Sequence, residues 1–153
     1  MKRILRSTIS LLVTIACVHA PPPNVEPKPV VVRASVGHTW DATMQVLQVQ
    51  NLPITATERE AGRISGELDS LPSFSALGMV ADCGRALGKT LPPRRLAYQV
   101  AIHGDSSHST ISVHADWKYV ASNKNRSDWL CGSTGKWENK IVDQIREKAE
   151  TRR

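Results

Sequence analysis

The chain has 153 residues, 41% of them hydrophobic and 22% charged, a globular composition with enough length for one core of ordinary size. Its formal charge is +6, from 20 basic and 14 acidic residues, but Lys2, Arg3 and Arg6 crowd the amino terminus, and without these three the balance falls to +3. A charge that mild, dispersed along the chain, excludes the concentrated basic face with which nucleic acid is bound.

Residues 1–16 combine those cations with a short, mostly apolar run, Ile9 to Ala16, broken by Ser10 and Thr14. This is the layout of a secretory signal peptide; a spanning helix needs roughly 20 apolar residues. The run Val13-Thr14-Ile15-Ala16-Cys17 resembles a bacterial lipobox, with Thr14 where that pattern prefers leucine. The resemblance implies cleavage before Cys17, acylation of that cysteine (palmitate included) and, with Val18 rather than aspartate next, an outer-membrane anchor facing the periplasm. The alternative is an ordinary cut after Ala20, which places Pro21 directly after the scissile bond. Pro21, Pro22, Pro23, Pro27 and Pro29 then favour extended polyproline II, a stand-off of ~25–30 Å at ~3.1 Å per residue. The expected organisation is a signal over 1–16, a lipidated Cys17 with its linker over 17–29, and one domain over 30–153.

Val30 to Ser35, β-branched at its start and bounded by Gly37, predicts a strand. Thr39 to Asn51 predicts a helix: Trp40, Met44 and Leu47 recur at helical spacing, and Val46 and Val49 broaden the stripe. Asp41 suits the positive end of its dipole, and Pro53 ends it. Ile54–Glu60 and Arg63–Asp69 predict a hairpin across Ala61-Gly62, with Ile64, Gly66 and Leu68 on the buried face. Ser70 to Pro93, rich in proline and glycine, predicts a long loop with a helical turn near Phe74–Val80. Leu96, Tyr98, Val100 and Ile102, then Ile111, Val113, Ala115, Trp117 and Tyr119, alternate with polar or small residues and predict two long strands joined by Gly104 to Ser107. After a polar loop, Ser122 to Asp128, a final helix starts around Ser133 or Thr134. Trp137, Ile141 and Ile145 form its stripe with Val142 alongside, and Lys148, Arg152 and Arg153 lie toward its C-terminal end. The result is an α+β domain of order β-α-β-β-β-β-α, an antiparallel sheet with both helices packed on one face.

With Cys17 lipidated, Cys83 and Cys131 remain as a pair in an oxidising compartment. A disulfide between them closes a loop of about 50 residues and contributes roughly 4 kcal/mol; the other reading is two free thiols. Neither lies in a Cys-x-x-Cys arrangement, so thiol exchange is not indicated.

Four constellations carry possible chemistry. His103-Gly104-Asp105-Ser106-Ser107-His108 gathers the residue types of nucleophilic catalysis, but glycine, aspartate and serine are also what a hairpin turn requires, and the turn is the reading adopted. His103, His108 and His114 are candidate zinc ligands; no carboxylate or thiolate completes the set, so they are read as surface histidines and no metal is assigned. Gly84 to Thr90 falls one residue short of a phosphate-binding P-loop, and Leu91-Pro92-Pro93 stops the helix that loop needs. Gly132-Ser133-Thr134-Gly135-Lys136 either cradles an anion or places Ser133 or Thr134 as a helix N-cap; capping is adopted. No catalytic residue and no cofactor is assigned.

The lipobox, the spacer, the segment TWDATMQVLQVQNLPITATEREAGRISGEL (Thr39–Leu68) and the terminal helix together resemble the BamC-like envelope lipoproteins. These are accessory subunits of the machine that assembles outer-membrane β-barrels, and the resemblance implies a helix-grip fold over residues 30–150. The tryptophan-bearing helix, the hairpin glycine and the strand alternation carry it. Two features depart from it: there is room for one such domain rather than two with a long arm, and the Cys83–Cys131 pair is outside the pattern. The expectation is a non-enzymatic, outer-membrane lipoprotein facing the periplasm, a scaffold or accessory subunit of a β-barrel assembly or secretion complex. It is expected as a monomer or one subunit of a hetero-complex, holding the membrane through Cys17 and protein partners through the 70–93 and 122–128 loops. Trp129, Arg85 and Lys89 are the candidate contact residues, although Trp129 equally suits packing over the disulfide. A second expectation is a binding module that encloses a small apolar ligand between the sheet and the Trp137 helix.

Overall fold

A computed structural model of the chain describes residues 23–25, 27–71, 80–86, 89–120 and 128–151. The leader with Cys17, Pro21 and Pro22, most of the turn expected at Phe74–Val80, most of the Ser122–Asp128 loop, and Arg152 and Arg153 lie outside the described residues. In chain order the elements are β1 (Val30–Val32), α1 (Val36–Val49), β2 (Ala56–Glu58), β3 (Arg63–Leu68), β4 (Ala81–Asp82), β5 (Arg85–Ala86), β6 (Lys89–Thr90), β7 (Arg95–Gly104), β8 (Ser109–Tyr119), β9 (Trp129–Ser133) and α2 (Lys136–Thr151). Seven strands form one antiparallel sheet in the order β2-β3-β7-β8-β9-β4, with β1 also on β8, while β5 and β6 make a separate small hairpin. One edge of β8 is shared, by β1 against Ser109–Ile111 and by β9 against Trp117–Tyr119.

The strict alternation of β7 and β8 makes their hairpin the centre of the sheet. They pair without interruption from Arg95↔Lys118 to Gly104↔Ser109. Leu96, Tyr98, Val100 and Ile102 of β7 and Ile111, Val113, Ala115 and Trp117 of β8 are buried, and every second residue between them is at least partly exposed. The buried face receives both helices, which also pack on each other. A hydrophobic stripe needs a partner layer, and this two-layer arrangement gives each stripe one.

α1 begins earlier than its stripe suggests. Ser35 caps it, accepting the amide of His38 at 3.2 Å, and Gly37, read as a strand boundary, lies inside its first turn. Asp41 is therefore past the first turn. The helix ends in a Schellman motif: Asn51, at φ +53, donates to the Gln48 carbonyl and Leu52 to the Leu47 carbonyl, and asparagine tolerates that left-handed position. Trp40, Val46 and Leu47 are buried as expected, joined by Thr39, Ala42 and Thr43; Val49, placed in the stripe by its spacing, is 76% exposed.

The expected order needs correction between and after the hairpins. The 70–93 segment, read as a loop, contains β4, β5 and β6, each only two residues long. The stretch before α2 contains β9, whose Trp-Leu-Cys-Gly-Ser sequence lacks the alternation that signals a strand. β9 runs through Ser133, so α2 starts at Lys136 and neither Ser133 nor Thr134 is its N-cap in the expected way. Instead Gly135 offers the first helical carbonyl, to the amide of Asn139. The Ser133 hydroxyl accepts the Gly135 amide at 3.1 Å and donates to the buried carboxylate of Glu138 at 2.5 Å.

Gly66 is among the glycines dictated by close approach. Gly66 of β3 lies opposite Tyr98 of β7, and a Cβ there would stand 1.9 Å from the Pro53 carbonyl oxygen and 2.4 Å from the Tyr98 ring. The Tyr98 hydroxyl donates to that same Pro53 carbonyl at 2.8 Å.

Candidate functional site

The two cysteines are joined, with Sγ atoms 1.97 Å apart across a sequence separation of 48. Their bond fastens β4 and its sequel to β9, a junction that otherwise rests on two backbone pairs, Ala81↔Ser133 and Asp82↔Gly132. Trp129 is bonded to the backbone beside it. Its indole N–H donates to the Cys83 carbonyl at 3.1 Å, and its ring lies 4.5 Å from that of Tyr119. The indole is thus hydrogen-bonded within the domain while the residue keeps part of its surface exposed.

Beyond Cys83 the chain turns at Gly84, whose amide is held by the Asp82 carboxylate at 2.7 Å, and forms the β5–β6 hairpin with Arg85↔Thr90 and Ala86↔Lys89. Gly84 to Thr90 thus makes a hairpin in place of the loop-to-helix junction a phosphate loop requires. Arg85 is exposed on it. Leu130, between Trp129 and Cys131, points to the opposite face and is 53% exposed. Sequence reasoning missed it because the strand that turns it outward was not legible.

The catalytic-looking residues at 103–108 are a turn. The Asp105 carboxylate accepts from the amides of Ser107 (2.7 Å) and His108 (2.9 Å) and from the Ser107 hydroxyl (2.8 Å). These donors, the His108 amide foremost, hold its pKa down to about 2. The Ser107 hydroxyl lies 3.0 Å from His108 Nδ1. The carboxylate therefore grips the serine rather than orienting the imidazole, the reverse of a nucleophile relay. The Asp105 carbonyl also receives the Val36 amide at 3.0 Å, so the turn completes the start of α1.

His103 and His114 share the uncovered sheet face, but His103 pairs with Thr110. Four strand residues from there to His114 correspond to roughly 13 Å, too far to share an ion. His114 Nε2 lies 3.3 Å from Asp116 instead. Among the described residues no group of three metal-ligating side chains gathers.

Two depressions among the described residues bear on the ligand reading. One of about 430 Å³ lies between the C-terminal halves of the helices, lined by Val46, Val49, Gln144, Glu147 and Lys148 among others. The other, about 210 Å³, is on the uncovered sheet face beside Ser65, Gln99, His114 and Asp116. The interval between α2 and the sheet, where an apolar ligand was expected to sit, holds aromatic side chains. Trp137 meets Trp117 edge-on at 5.7 Å and Tyr98 at 6.0 Å, with Ile141 and Ile145 buried beneath.

The linker is attached to the domain, which the sequence did not suggest. Asn24 Oδ1 accepts the Ser133 amide at 2.8 Å, and the Val25 amide donates to the Ser133 carbonyl at 3.3 Å. No family model matches this chain, and no curated protein matches it.

Proposed function

We propose that the chain is a non-enzymatic lipoprotein, anchored in the outer membrane through Cys17 and facing the periplasm, whose domain is a scaffold or accessory subunit of a β-barrel assembly or secretion complex. The observation that carries this reading is the Cys83–Cys131 bond, which fastens a two-residue strand and the β5–β6 hairpin to the sheet. A covalent clamp on so short a strand suits an exported domain in an oxidising compartment. Arg85, two residues past Cys83, and Leu130, next to Cys131, are both exposed, and the reading takes them as partner contacts.

The two helices on one face of an antiparallel sheet, the first after the opening strand and the second closing the described chain, support a helix-grip-like fold and the BamC-like resemblance at the level of arrangement. The aromatic packing beneath α2 favours a scaffold over a carrier of apolar molecules.

The test is to isolate the protein from envelopes in mild detergent, determine the mass of its amino-terminal peptide and measure the size of the particle. The reading expects an acylated Cys17 and, after subtraction of bound detergent, a particle well above one mature chain, itself lighter than the 16.8 kDa of the full sequence by residues 1–16. An unmodified amino terminus at Pro21 and a particle of the chain's own size would contradict it.

A further inference from the structure

The attachment of the linker fixes which side of the domain the membrane meets. Resting on the lipid-anchor reading above, we infer that the β9–α2 corner lies against the bilayer and that Lys28, Lys136 and Lys140 engage anionic lipid headgroups there. The tether does not leave the domain at β1. It is held earlier, where Asn24 and Val25 bond both backbone groups of Ser133, and the Val25 side chain lies 3.4 Å from where a Cβ of Gly135 would stand. Seven residue steps separate Cys17 from Asn24, which even fully extended reach no more than ~25 Å. Pro27 and Pro29, the second half of the proline run, lie beyond the attachment point, so at the polyproline II rise the tether spans ~22 Å, short of the ~25–30 Å of the whole run.

The chemistry of the corner fits a headgroup layer. Val25 is 52% exposed beside it. Lys136 follows Gly135 directly, Lys140 lies one turn along the same helical face, and Lys28 is three residues from Val25, within ~10 Å; all three are exposed. Among the described residues, the carboxylates close to them in sequence or pairing are engaged elsewhere; Glu26, between Val25 and Lys28, lies outside the described residues. Glu138 is 2% exposed and accepts the Ser133 hydroxyl, Asp143 pairs with Arg146 at 2.8 Å, and Asp82 holds the Gly84 amide. Among the described residues the corner thus offers cations whose nearest carboxylates are already engaged, and each lysine near an anionic surface strengthens partition about fivefold, an effect that salt screens. Sheet order puts β2 four strands from β9, ~19 Å away, so the β2 edge faces away from the bilayer.

The experiment is lysine footprinting of the full protein purified from envelopes. It is reconstituted in phosphatidylcholine vesicles with or without phosphatidylglycerol and acylated with a water-soluble reagent, with modification rates read by mass spectrometry. The expected result is several-fold slower modification of Lys28, Lys136 and Lys140 on the anionic vesicles, reversed by salt, with Lys148 unchanged. Lys136→Gln with Lys140→Gln is expected to abolish the several-fold difference in Lys28 modification between the two kinds of vesicle. Equal protection of all four lysines, or none, overturns the inference, as does protection that needs other envelope proteins rather than lipid. The mass of the amino-terminal peptide separates the two claims. An acylated Cys17 without the footprint leaves the anchor and removes the corner; the footprint on a chain without acyl groups leaves the corner and removes the anchor.

Discussion

Removing the Cys83–Cys131 bond is the perturbation whose effect can be worked most fully from the structure. The sequence separation of 48 gives a loop-closure contribution of about 4 kcal/mol in the chain-entropy model. Against a total stability of about 5–15 kcal/mol, that is a quarter or more of what holds the domain folded. For a domain of this size it corresponds to a fall in melting temperature of roughly 10–20 °C. The loss has a place as well as a magnitude. β4 is held by two residue pairs, and the Trp129 indole is fixed by the Cys83 carbonyl, whereas β7 and β8 pair along their whole length. The assay is thermal unfolding of the oxidised protein, the reduced protein and a Cys83→Ala/Cys131→Ala variant, with amide exchange on each. The expected outcome is early loss of protection at Ala81, Asp82, Gly132 and Ser133 while Val100 and Val113 stay protected. A melting temperature within about 3 °C of the oxidised protein, or uniform loss of protection, would refute the reasoning that the bond staples a locally weak junction.

Other outcomes follow from single contacts. Gly66→Ala forces a Cβ to 1.9 Å from the Pro53 oxygen and is expected to cost about 1–3 kcal/mol or more, measured by urea unfolding; a neutral result would refute the close approach. Tyr98→Phe removes the hydroxyl that donates to Pro53 and is expected to cost about 1 kcal/mol. Burial raises the Tyr98 pKa to about 12 from its ordinary 10.0, so the unfolded chain loses this proton first. Stability therefore falls as pH rises from 10 through about 12, a loss absent in Tyr98→Phe. Asp105 titrates at about 2 instead of 3.8, so what its carboxylate contributes is intact above 3.8 and is lost as pH falls through about 2. A carboxyl chemical-shift titration reads that value directly, and Asp105→Asn removes the acid-side dependence.

The parts legible from sequence were those with a long period. β7 and β8 declare themselves by alternation, and α2 by Trp137, Ile141 and Ile145, with Ile141 and Ile145 buried. β4, β5 and β6 are two residues each, shorter than any repeat that could reveal them. β9 is strand by virtue of its neighbours, Trp117 to Tyr119 on one side and β4 on the other. The start of α1 was hidden by Gly37, tolerated because Ser35 caps the turn that contains it. At the candidate corner the cysteine pair was readable by counting, while the exposure of Leu130 depended on β9. The attachment of Asn24 to Ser133 joins residues 109 apart through one side chain and one amide, and such a bond leaves no trace in local pattern.

The most direct test of the proposed scaffold role is crosslinking in intact cells, followed by capture of this chain and mass spectrometry of what accompanies it. The account predicts reproducible recovery of outer-membrane assembly or secretion proteins, reduced when Arg85→Glu and Leu130→Asp are introduced together. Recovery of the chain alone, with a small molecule retained in its native mass, would contradict it.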